Sequence, residues 1–387
     1  MDSNLFSTSP CGRVVHTRFG YDAYVPDPLP PPLEWNSTVA RALERAGLAT
    51  GSLDAHLQNQ NGRFLPLLLR VDAAAAIRSE GRHVELTTLL LSEARGACAE
   101  QGTRLAANYV NAYEHALARL QDFPLSLRLI RELHYLVLAE GADPRTTPGY
   151  FRRTQNWLGP PGCTLSSADF VPPPATQMKQ GLDDWERYLH QPDDAPSLAR
   201  LALAHHQFLV IHPFLDMNSA TMALAASLLL PHFKLTSVPV PFVGRFMESR
   251  ASDLQQRMLD TCVSGNWEEW VVWYLQGMAD TAYHTIQAVI RLQRLRDTWH
   301  ARLQEDHARH QPGSVLDCLF RSGATSIASV VRTTGLTHDE TAAALQKLLR
   351  LGIAEVASEE ECIFWSPEIV TALNAPVSPQ RSPERPL

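Results

Sequence analysis

Cysteine is scarce in this chain of 387 residues: there are six, Cys11, Cys98, Cys163, Cys262, Cys318 and Cys362, and no two stand in a CxxC. That spacing argues against a zinc site and against a disulfide framework, and it fits a reducing, cytoplasmic setting. Long apolar runs are missing too. The longest, Met222–Leu230, is far shorter than the roughly 20 residues a membrane span needs, so no membrane association is expected. The opening MDSNLFSTSPCGR lacks a basic segment followed by an apolar run, so it does not read as a secretory signal. Positive charge is in deficit, with 34 Lys and Arg against 41 Asp and Glu, a net charge of −7. A protein that lives on phosphate contacts is basic, so nucleic acid is disfavoured as the main partner.

What remains is helical grammar. Hydrophobic residues make up 45% of the chain and charged residues 19%, which places it among globular proteins. Asn36 or Ser37 can cap a helix that stops at Gly47. Pro124 opens a run in which Leu127, Ile130, Leu133, Leu136 and Val137 recur at helical spacing. Further helices are expected at about 64–80, 83–99, 104–120, 177–190, 196–211, 218–231, 251–263 and 267–300, so the fold class is all-α. Pro26, Pro28, Pro30, Pro31 and Pro32 give an extended, polyproline-like lead-in, and 375–387 reads as a disordered tail. From Arg145 to Pro174, prolines and glycines forbid a helix while Phe151, Trp157 and Phe170 supply anchors. This segment is expected to form a long ordered loop or β-hairpin laid over the helices.

Beyond Gln311 three short helices are expected, Ser314–Ser322, Ser326–Thr334 and Thr337–Leu351, followed by a hairpin over Gly352–Trp365. That order suggests a winged helix. Its third helix begins with Asp339 and Glu340, and residues 310–370 hold four Lys/Arg against eight Asp/Glu. Such a unit grips a phosphate backbone poorly, so packing or dimerisation is expected rather than strong nucleic-acid binding.

The most informative stretch is His205–Leu230, HHQFLVIHPFLDMNSATMALAASLLL. His212, Pro213, Phe214, Asp216 and Asn218 fall in register with HPFx(D/E)GNGRxxR, so the sequence resembles the Fic family. Gly12–Pro32 resembles that family's lead-in, Gly149–Pro174 (FRR-x-QN-W … PGCT … FVPPP) its flap, and GNWEEW at 265–270 a late motif. Ala73–Ala94 resembles the autoinhibitory helix [ST]xxxE[GN], with Glu80 and Gly81 kept and Ala76 in place of Ser or Thr. The resemblance implies a helical core with a flap and, as a common appendage, a winged helix. The units implied are 1–120 with the inhibitory-type helix, 121–304 the core, 305–374 the winged helix, and 375–387 the tail.

The resemblance also implies transfer of AMP from ATP to a protein hydroxyl. In it the histidine is general base, the acid holds Mg²⁺, glycines admit the phosphates to a helix N-terminus, and two arginines neutralise them. Here Met217 and Ser219 replace both glycines, and Ala220 and Ala223 both arginines. The anion site is expected to be lost, since each missing partner of a buried charge is worth roughly 3–5 kcal/mol. The segment Val243–Leu254 follows the family pattern loosely, with Arg245 where a tyrosine is usual.

The expected function is that of a repurposed His-dependent enzyme acting on a weakly charged organic molecule. His212, Asp216 and Glu80 are the candidate catalytic residues, and Met217, Asn218, Ser219, Met222 and Arg245 the candidate substrate contacts. No cofactor and no metal are expected, because the histidines lack ligand spacing. A non-catalytic module that docks a partner protein at the flap, and a divergent adenylyltransferase, stand as alternatives. A homodimer is left open.

Overall fold

The computed structural model describes residues 1–98, 100–139, 143–192, 194–304, 312–358 and 360–375; the tail beyond Ala375 lies outside the described residues. A short helix α1 (Ser3–Phe6) precedes an antiparallel hairpin, β1 (Gly12–His16) and β2 (Asp22–Pro26), in which Val14 faces Tyr24. The sequence reading took this stretch only as a lead-in. Asn36 caps α2 (Ser37–Asn59) by accepting from the Thr38 and Val39 N–H groups at 2.9 and 3.0 Å. The helix does not stop at Gly47. Gly47 is exposed, and the buried stripe Val39, Ala42, Ala46, Thr50, Leu53, Leu57 continues past it, so side-chain burial outweighs a glycine penalty of about 1 kcal/mol.

Then follow α3 (Leu65–Ser79), α4 (Leu86–Arg95), α5 (Gln101–Arg119), α6 (Leu127–Val137) and α7 (Ala175–His190). At the centre lie α8 (Ser197–Ile211) and α9 (Asn218–His232). Both are apolar on nearly every face, with Leu201 through Ile211 and Thr221 through Leu230 all buried, which is what a helix surrounded by others requires. Around them pack the helices above together with α10 (Val243–Ser249), α11 (Leu254–Ser264) and the long α12 (Trp267–Gln304), which runs along α2. The helix expected at 251–263 is found as α11, and α10 before it is an additional short helix.

The C-terminal elements are α13 (Pro312–Ser322), β3 (Ala324–Ser326), α14 (Ile327–Thr334), α15 (His338–Arg350), β4 (Glu355–Ser358), β5 (Ile363–Trp365) and α16 (Pro367–Asn374). The three strands form an antiparallel sheet in the order β3–β5–β4. Thr337 and Glu340 make a capping box at the start of α15, so Glu340 is engaged in holding its own helix end. These elements share one apolar core with the rest: Phe320 packs on Phe64 of α3 and Trp299 of α12. The segment 149–174 is mostly irregular, with one antiparallel bridge, Leu158 to Phe170, bonded both ways at 2.8 and 3.1 Å. Its Val171 carbonyl accepts from the Tyr24 N–H at 2.9 Å, which ties it to β2. Among the described residues no helix is long and apolar enough to cross a membrane.

Candidate functional site

The six residues 212–217 join the two central helices. His212, the C-cap of α8, has φ 49° and ψ 63°, and Met217, before α9, has φ 56° and ψ 30°. Both occupy the left-handed region, which costs an L-residue roughly 1–2 kcal/mol, so the surroundings must hold the loop in place. Asn218 does so from inside: its Oδ1 accepts from the Phe214 N–H and its Nδ2 donates to the Phe214 carbonyl, each at 2.9 Å. His134 does so from α6. Its ring stacks on Phe214 with centroids 3.7 Å apart, its Nδ1 accepts from the Gly149 N–H at 2.9 Å, and its Nε2 therefore carries the proton given to the Asp216 carbonyl at 3.2 Å.

The flap holds the loop from outside. Arg152 is 1% exposed and faces main-chain carbonyls rather than a carboxylate. It donates to His212 O at 2.9 Å, Ile211 O at 3.3 Å, Pro173 O at 2.5 Å and Thr154 O at 3.4 Å. A guanidinium there satisfies the orphan carbonyls at the negative end of α8. Asn156 Nδ2 adds a bond to Phe214 O at 2.9 Å. Sequence reasoning assigned none of His134, Arg152 and Asn156 a site role. The signal available was a histidine on the core face of α6, four residues after Ile130, and the polar residues of the flap motif.

Burial, and secondarily the charge of Arg152, push the His212 pKa down to about 4. The imidazole is thus neutral at pH 7. A neutral imidazole carries a lone pair on one ring nitrogen, the state a general base needs.

Glu80 is the C-cap of α3, yet it serves the N-terminus of α9. Its Oε1 accepts from the Ala220 N–H at 2.8 Å, so a carboxylate sits where a helix N-terminus would take an anion. Burial raises its pKa to about 7, against the pull of the Ala220 amide, and the Asp216 charge raises it further. Two residues on, Arg82 reaches Asp216: NH2 to Oδ2 is 3.0 Å, while Oδ1 accepts from the Met217 N–H at 2.9 Å. Arg82 is a fourth residue that sequence reasoning passed over.

A divalent cation does not fit this arrangement. Each Asp216 oxygen already accepts a bond, and a guanidinium occupies the approach to one of them. Among the described residues no group of three His, Cys, Asp or Glu side chains could hold a metal ion. At the N-terminus of α9 the anion position is taken by Glu80, and Ala220 and Ala223 carry no charge.

Of the sequence-predicted residues, Glu80, Asp216 and Ser219 come together at the N-terminus of α9, while His212, at the start of the loop, meets Arg152. Met217, Asn218 and Met222 are each at most 2% exposed and face the core. Arg245 lies on α10 beside Asp72, and none of the residues lining its cavity comes from 212–223.

Residues 124–230 match the Fic/DOC family profile. The chain is 32% identical over 142 residues to the protein adenylyltransferase Fic of Drosophila grimshawi, covering 36% of this chain and 26% of that protein. It is also 32% identical over 143 residues to the one of Drosophila willistoni, 36% and 25%. The match thus spans about a quarter of the length of these relatives. The fold resembles that of a Fic family protein from Desulfovibrio desulfuricans G20, with a TM-score of 0.51 at 16% identity, covering 87% of this chain and 98% of that one.

Proposed function

We propose that this chain, which carries a Fic/DOC domain over residues 124–230, uses the Fic scaffold without a nucleotide. The observation that carries this reading is the 2.8 Å bond from the Ala220 N–H to Glu80. The anion position of α9 is filled by the chain's own carboxylate, and the Asp216 carboxylate by the chain's own guanidinium. The relatives named as adenylyltransferases make divergent AMP transfer the alternative to test. His212 is the proposed general base, acting on a small, weakly charged organic substrate. The support for a role in chemistry is that a neutral imidazole is held in a strained backbone position, where glycine or asparagine would be easier.

A second reading, a non-catalytic module that docks a partner protein at the flap, is favoured by the burial of Met217, Asn218 and Met222. Those side chains offer no apolar pocket wall beside His212. Under either reading strong nucleic-acid binding is not proposed, because Lys347, one of four basic residues in the C-terminal unit, is 4% exposed and donates to Leu303 O at 3.3 Å.

Calorimetry with ATP and Mg²⁺ on the wild type and on Glu80→Gly tests the nucleotide claim. No binding at millimolar ATP is expected in either protein, because freeing the helix N-terminus restores no cation. Micromolar binding by the variant would return the chain to the adenylyltransferases. His212→Asn separates the two readings, because asparagine tolerates the left-handed region and so removes the imidazole alone. Its unfolding midpoint is expected to match the wild type, with conversion of metabolites in a cell extract, followed by mass spectrometry, lost. Capture of a partner unchanged by the substitution, with no conversion by either protein, would favour the docking module.

A further inference from the structure

A second polar cavity, about 360 Å³, opens between α10 and α12. Its walls include Arg245, Ser249 and Arg250 from α10 and the turn after it, with Asp280, Thr281 and His284 from α12. Glu248 also borders it but is spoken for: Arg78 grips both its oxygens, NH2 to Oε2 at 3.0 Å and Nε to Oε1 at 2.5 Å. Asp280 is shared by Arg45 at 2.6 Å and Arg250 at 3.2 Å. Both acids are therefore neutralised by arginines.

Arg245 feels the charges of Asp72 and Glu248, but among the described residues its Nη1, shielded from solvent, has no hydrogen-bond partner. The nearest carboxylate, Asp72, is turned to other work: Oδ1 accepts from the Arg245 backbone N–H at 3.0 Å and Oδ2 from the Tyr109 hydroxyl at 3.3 Å. Burial pushes the Asp72 pKa up to about 7, so it is a weak counter-charge. Arg291 adds a further positive charge near both Arg245 and His284. A buried guanidinium with an unmade bond is costly unless something supplies the acceptor. The hydroxyls of Ser249 and Thr281 donate to Phe246 O and Gly277 O within their own helices, and neither accepts from Nη1.

We propose that this cavity is a binding site for a small oxyanion, the phosphate or carboxylate group of a small molecule, held by Arg245 with Arg250 and His284. The site is distinct from the His212 loop and does not depend on the function assigned to it. It is nonetheless mechanically close: the Glu248 wall is paired with Arg78, two residues before Glu80 on the same helix.

The test is thermal unfolding and calorimetry of the full chain with inorganic phosphate, with acetate, and with chloride at matched ionic strength. A saturable rise in melting temperature with phosphate or acetate and none with chloride is expected, phosphate alone marking a phosphoryl ligand and acetate alone a carboxylate. Arg245→Met should weaken that binding at least tenfold while leaving the unliganded protein no less stable, because it removes a buried guanidinium with an unmade bond. An equal response to all three salts, or a folded Arg245→Met protein that keeps the response, overturns the site. Should Arg245→Met fail to fold, His284→Leu on the opposite wall decides: the response falls severalfold if the site exists, and an unchanged response overturns it.

Discussion

Arg152→Met is expected to destabilise the protein by about 3–5 kcal/mol, measured by urea unfolding of the full chain. Methionine replaces the volume but supplies none of the four donors. The Ile211 and Pro173 carbonyls then lose the guanidinium, and that of His212 keeps only the 3.4 Å bond from Asn156; an unsatisfied buried acceptor costs about 1–3 kcal/mol. Arg152→Lys should rescue only a fraction, because an ammonium cannot span carbonyls that a planar guanidinium reaches together. A second readout separates this clamp from ordinary packing. The charge of Arg152 helps to hold the His212 pKa down, so in any Arg152→Met protein that remains folded the His212 resonances should titrate at higher pH. A loss below about 1 kcal/mol with an unmoved His212 would show that the flap is a cover and not a clamp.

Acidification should unfold the protein between about pH 6.5 and 4.5. Burial lowers the folded pKa values of His134 and His212 to about 4 and of His205 and His206 to about 3. A histidine depressed in this way contributes stability that is present above its unfolded pKa near 6.5 and lost as pH falls toward the folded value. Asp72 and Glu80 act in the opposite sense. Their folded values, raised to about 7 by burial, contribute stability that is full below about pH 4 and lost as pH rises through 7.

In the window between, unfolding takes up four protons on imidazoles and releases two from carboxyls. The net uptake of about two protons means stability falls by roughly 2–3 kcal/mol per pH unit. Over two units the loss reaches about 5 kcal/mol, comparable to the whole stability of many proteins. Urea midpoints followed by tryptophan fluorescence across this range would measure the slope. Asp72→Asn should steepen it by about one proton, because an opposing group is removed. A flat profile, or one that rises on acidification, would mean these groups are not buried as described.

The sequence by itself determined the helical class, because apolar spacing of three and four residues recurs over most of the chain and each helix must bury that stripe. It also located the C-terminal helix order and hairpin, since Gly323 and Gly335 and the capping residues Ser326 and Thr337 are local signals. His212–Asn218 was legible from its motif as part of a segment that matches the Fic/DOC family. What only the tertiary structure decided is what surrounds that loop. Glu80 finds the Ala220 amide 140 residues away, Arg82 finds Asp216, and Arg152 finds the end of α8, none of which any local spacing encodes. Arg245 was grouped with His212 through a loose match to a family pattern, and packing placed it in a separate cavity. The end of α2 was misjudged for the same reason: a glycine weakens a helix locally, but the burial of Thr50, Leu53 and Leu57 against distant helices is what extends it. Local chemistry sets which conformations a segment can adopt, whereas the partner of a buried charge is chosen by whichever distant element the core brings beside it.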